Sequence, residues 1–89
     1  MINPQDFLNA LLDGGENILQ FPSIRDAKRY RFMCYAIRRK AQAQSRRSFV
    51  PGEPGYNSSP WDGLVFLLDS TTLRVVRIED AFDSEGTGE

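Results

Sequence analysis

The sequence predicts a small α+β domain in which a long basic helix packs on a three-stranded sheet, in the order α-β-α-β-β. Three observations carry this. Residues 24–44 contain neither glycine nor proline, and their apolar positions recur at helical spacing. Two short β-branched or apolar runs, Leu64–Leu68 and Leu73–Ile78, flank the turn-forming Asp69-Ser70-Thr71-Thr72. A further run, Asn17–Phe21, is bounded by Gly14-Gly15 and Pro22. At 89 residues the chain is one domain with a thin core, expected over residues 1–79.

The first helix starts at Asn3, a capping residue, with Pro4 in the first turn and Asp6 at the capping-box position. Phe7, Leu8, Leu11 and Leu12 form its apolar side, and Gly14 and Gly15 stop it. In the first strand Leu19 and Phe21 point one way, Ile18 and Gln20 the other. That strand either precedes a right-handed crossover or pairs antiparallel at an edge. Ser23 caps the long helix, with Asp26 three residues on. At ~100° per residue, Ala27, Tyr30, Met33, Cys34, Ile37 and Ala41 share one side, the expected core face against Leu19, Phe21, Leu64, Phe66 and Val75. Residues 45–60, rich in Pro, Gly, Ser and Asn, read as a loop holding Phe49 and Tyr56, and Trp61 leads into the next strand. Residues 80–89 read as an acidic, disordered tail.

Net charge is −1, yet the charges are segregated. Residues 24–47 hold nine cations against Asp26, a net of +8, while the rest of the chain sums to −9. Arg25, Lys28, Arg29, Arg39 and Lys40 fall opposite the core face, Arg31 and Arg38 flank it, and Arg46 and Arg47 follow in the loop. Phe32 and Tyr35 fall with the basic residues. Arginine forks bind phosphate or carboxylate bidentately, and exposed rings stack on bases or anchor protein interfaces. These eleven residues are the candidate site for a protein or nucleic-acid partner. The competing structural reading solvates the charges and packs the two rings against the first helix or the loop.

Several chemistries find no residues here. There is no histidine, so Ser-His and Cys-His nucleophiles are excluded, as are His/Cys zinc sites with one thiol available. Cys34 lies on the core face and reads as packing rather than as a nucleophile. No glycine-rich phosphate loop opens a helix. The reading is of a non-enzyme with no cofactor and no metal. No run approaches the ~20 apolar residues of a membrane span. With a single cysteine and no leader pattern at the N-terminus, a reducing cytoplasmic setting is expected.

The strand ending in Phe21-Pro22-Ser23, the Tyr- and Arg-rich helix, and Trp61-Asp62-Gly63 before a terminal hairpin together resemble small proteins encoded by bacteriophages, over residues 17–78. The resemblance implies a class of function: binding host or phage nucleic acid, or occupying and inhibiting a host protein.

Overall fold

The computed structural model describes residues 2–78. Their elements are α1 (Pro4–Leu12), β1 (Ile18–Gln20), α2 (Ile24–Ser48), β2 (Leu64–Asp69) and β3 (Thr72–Arg77), an α+β arrangement in the expected order. The acidic segment 80–89 lies outside the described residues.

Both helix starts follow their capping chemistry. The Asp6 N–H donates to Asn3 Oδ1 at 2.8 Å while Asn3 Nδ2 donates back to Asp6 Oδ2. At α2 the Asp26 N–H donates to Ser23 Oγ at 3.1 Å, so Asp26 sits on the positive end of the helix dipole. Gly14, at φ +79°, takes the left-handed turn after α1. The C-terminus of α2 departs from expectation. It runs to Ser48 rather than to about Gln44, because nothing in Ser45-Arg46-Arg47-Ser48 breaks a helix and the next proline is Pro51. Arg46 and Arg47 therefore occupy its last turn, where cations complement the dipole, instead of the loop.

The sheet order is β1-β3-β2, antiparallel throughout. The alternative of a crossover is thereby settled: β1 pairs with β3 at Ile18↔Arg74, Leu19↔Leu73 and Gln20↔Thr72. Asn17 extends this edge, exchanging hydrogen bonds with the Val75 backbone through its carbonyl (2.9 Å) and its side-chain amide (2.8 Å). Ser70 and Thr71 make the hairpin turn between Asp69 and Thr72, with Ser70 at φ +56°.

Strand alternation puts Phe66, Leu68, Leu73 and Val75 on the face covered by the helices. Ala27, Tyr30 and Cys34 of α2 are buried, and Ile37 and Ala41 are half-buried against the same core. Met33, expected there, is 41% exposed. α1 packs on α2 and buries Phe7 and Leu8. Tyr30 lies between Phe7 and Phe21, with centroid separations of 6.0 and 5.1 Å, and its hydroxyl donates to the Ile2 carbonyl at 2.7 Å. Trp61 and Leu73, absent from the expected core, are buried in it.

The segment between α2 and β2 is held by its own polar groups. The Ser45 hydroxyl donates to the Gln42 carbonyl and accepts from the Ser58 N–H. Asp62 accepts from the Ser59 N–H (2.8 Å), the Ser59 hydroxyl (2.6 Å) and Gln42 Nε2 (2.8 Å). Burial raises the pKa of the Asp62 carboxyl, but these bonds and the nearby Arg38 charge outweigh it and hold the group below its ordinary value. Gly55, at φ +97°, faces the Phe49 ring, and a Cβ there would lie 3.3 Å from Phe49 Cζ.

Candidate binding face on the long helix

Nine of the eleven expected site residues fall in the helical region first assigned to them, and Arg46 and Arg47 join them by the extension of α2. The structure then divides the set in two. Arg25, Lys28, Arg29, Phe32, Arg39, Lys40, Arg46 and Arg47 are exposed. At ~100° and ~1.5 Å per residue they occupy an arc of roughly 120° and a length of about 33 Å on one side of α2. Arg31, Tyr35 and Arg38 are half-buried toward the sheet.

Phe32 is 64% exposed, the most exposed of the large hydrophobic side chains among the described residues. Its ring lies amid seven exposed cations, and the Arg39 guanidinium sits 5.7 Å from its centroid. Burial offers no reason for this ring to face outward. Arg46 Nη1 donates to Asn57 Oδ1 at 2.6 Å, tying the end of the face to the following loop while the residue stays exposed.

Tyr35 corrects the expectation that both rings face outward. It packs edge-on to Phe66, centroids 5.1 Å apart at 87°, because β2 passes beneath that flank of the helix. Arg38 is likewise a fold residue. Its guanidinium lies 4.9 Å from the Tyr35 centroid and 5.7 Å from that of Phe66, and Nη1 donates to the carbonyls of Leu64 (3.0 Å) and Trp61 (3.5 Å). Tyr35 is thus packed into the fold, on the sheet rather than on α1 or the loop, and Arg38 is half-buried rather than solvated. Phe32 and the seven exposed cations remain as the candidate face.

A feature that sequence reasoning missed adjoins this face. A groove of about 280 Å³ lies between the start of α2 and the end of β1, walled by Phe21, Pro22, Tyr30 and Met33, with Asp26 and Arg29 at its lip. Its one sequence signal is Met33, an apolar residue at the margin of the core stripe. A larger cleft of about 440 Å³ opens at the far end of the sheet, between Leu12, Gly15, Asn17 and Leu64, Val76, Arg77.

Covalent chemistry finds little support in these surroundings. Cys34 is fully buried, and burial pushes its thiol up to about 11, against the thiolate a nucleophile requires. Among the described residues no three His, Cys, Asp or Glu side chains gather as metal ligands, and no helix is long and apolar enough to cross a membrane. Compared with protein-family models, curated proteins and solved structures, the chain matches none of them.

Proposed function

We propose that this chain is a binding protein, not an enzyme, and that the exposed basic face of α2 docks on an acidic surface of a protein partner and modulates or inhibits it. The observation that carries the reading is Phe32: one aromatic ring, 64% exposed, set among seven cations with a guanidinium across it. Exposed aromatic and arginine side chains of this kind dominate protein interfaces energetically, whereas lysines and acids form the rim. The withdrawal of Tyr35 into the fold supports a protein over a single-stranded nucleic acid. Single-strand binding draws on several stacking rings in succession, and α2 offers one. The resemblance to phage-encoded proteins supplies the partner class, a host protein met in the cytoplasm.

A second reading is favoured by the length of the cation row. About 33 Å of helix bearing seven exposed cations suits the phosphates of a duplex. The two readings part on salt. A duplex engaged by five or six of the cations gives a log–log affinity slope of roughly −5. A protein interface anchored by Phe32 gives a shallow slope. The test is capture from bacterial lysate with and without nuclease, using the native chain and Phe32→Ala side by side. A partner that survives nuclease and is lost with Phe32→Ala supports the protein reading. Loss of all partners on nuclease treatment replaces it with the nucleic-acid reading.

A further inference from the structure

The groove walled by Phe21, Pro22, Tyr30 and Met33 does nothing for the fold that requires it to stay open. Phe21 and Tyr30 are buried at 7% exposure each, so their rings form its floor, while Met33 leaves 41% of its surface to solvent on one wall. At about 280 Å³ the groove falls just below the ~300–1,000 Å³ of small-molecule sites and is sized for one bulky side chain. Methionine suits such a wall, since its unbranched thioether adapts to the shape of what enters.

Its position decides the occupant. Arg29 belongs both to the groove's lip and to the basic face, so the two surfaces are continuous. A ligand entering the groove lies beside Arg29, and an acidic chain satisfies that cation and, running on across the helix, its neighbours on the basic face. Only one acid, Asp26, opposes it at the lip. We propose that the groove seats a single large apolar side chain, carried within an acidic peptide segment of the partner whose carboxylates run along the basic face. This rests on the reading of that face as a protein interface, and adds to it the chemistry of the segment recognised.

The test uses two fluorescein-labelled ten-residue peptides of Asp and Glu, one with a central phenylalanine and one with alanine in its place, measured by fluorescence anisotropy at low salt. The native chain is expected to bind the phenylalanine peptide about tenfold more tightly. In Met33→Lys the charge of the face rises, so the alanine peptide binds at least as well as before. The preference for phenylalanine falls to within about twofold. Because Met33 is partly exposed, this variant keeps the fold, which circular dichroism verifies. Equal binding of the two peptides by the native chain overturns the inference but leaves the interface reading standing, as does a preference undiminished in Met33→Lys. Failure of both peptides to bind overturns both. A single-stranded oligonucleotide whose binding falls in Met33→Lys, when neither peptide binds, puts a nucleobase in the groove and overturns the proposal as stated.

Discussion

The indole N–H of Trp61 donates to the carbonyl oxygen of Leu8 at 2.9 Å, joining positions 53 residues apart. Through this bond and the burial of its ring, the loop before β2 is fastened onto α1, which α2 alone would leave with one packed side.

Trp61→Phe keeps most of the ring and removes the donor, and is expected to cost about 1–3 kcal/mol. Trp61→Ala removes the ring as well and is expected to cost about 3–5 kcal/mol, a large share of the stability of a domain this size. Urea unfolding followed by circular dichroism measures both. A Trp61→Ala chain as stable as the native one would show that the loop does not hold α1.

Arg38 and Arg39 are adjacent and chemically identical, and the structure gives them opposite surroundings, one half-buried and bonded to the sheet, the other exposed. Arg38→Ala loses two carbonyl contacts and the stacking on Tyr35 and Phe66, and should destabilise by about 1–3 kcal/mol. Arg39→Ala is exposed and should stay within about 0.5 kcal/mol of the native chain while weakening partner binding. Paired melting curves and binding isotherms of the two variants check this. Equal stability loss in both contradicts the division of the face.

Alkaline pH should destabilise the domain over two overlapping ranges. Burial pushes the Cys34 thiol from 9.0 up to about 11. Burial, then the charges of Cys34 and Asp6, push the Tyr30 hydroxyl from 10.0 up to about 12. Both groups are neutral when protonated, and folding favours that form. Their contribution is therefore complete below pH 9 and is lost as pH rises, between about 9 and 11 for Cys34 and about 10 and 12 for Tyr30. A phenolate also forfeits the 2.7 Å bond to the Ile2 carbonyl. Denaturant midpoints at pH 8, 9.5 and 11 should fall steadily, and Cys34→Ala should flatten the first part of the decline. A midpoint constant up to pH 11 contradicts the burial of both groups.

Removing residues 79–89 takes away five acids and raises the formal net charge from −1 to +4. Retention on a heparin column should lengthen, because the repulsion those acids exert on a polyanion is gone. Unchanged retention would mean that they do not influence the field at the basic face.

Much of this architecture was legible because it rests on local rules. The caps at Asn3 and Ser23, the hairpin at Ser70-Thr71 and the buried stripe of Ala27, Tyr30 and Cys34 each follow from neighbours within a few positions. What the sequence did not show depends on distant partners. A helical wheel sets Met33 on the core face and Tyr35 with the cations, and the structure reverses both, although each lies roughly 100° from the centre of that stripe. Only the placement of Phe66 beneath one flank packs Tyr35 and leaves Met33 uncovered. The same limit hid the groove, which joins Phe21 after β1 to Tyr30 of α2, and the role of Trp61, whose partner is in α1. The cation row was legible as charge, and the wheel sets Arg31 and Arg38 at the flanks of the core face, where the structure half-buries them; the carbonyls that hold Arg38 were not legible, since they belong to residues more than twenty positions away.

The placement of Arg38 also bears on how copies of this chain behave toward one another. Among the described residues β2 has β3 on one side and no strand on the other. Since Gly63 turns its carbonyl to Ile78 across the ladder, alternation turns the backbone groups of Leu64, Phe66 and Leu68 toward the open side. An apolar edge of this kind is a template for intermolecular strand addition. Arg38 occupies the Leu64 carbonyl and sets a positive charge beside Phe66, so an approaching strand meets a guanidinium where it needs an acceptor. Arg38→Ala, which bares this edge, is therefore expected to aggregate at lower concentration than the native chain, as light scattering measures.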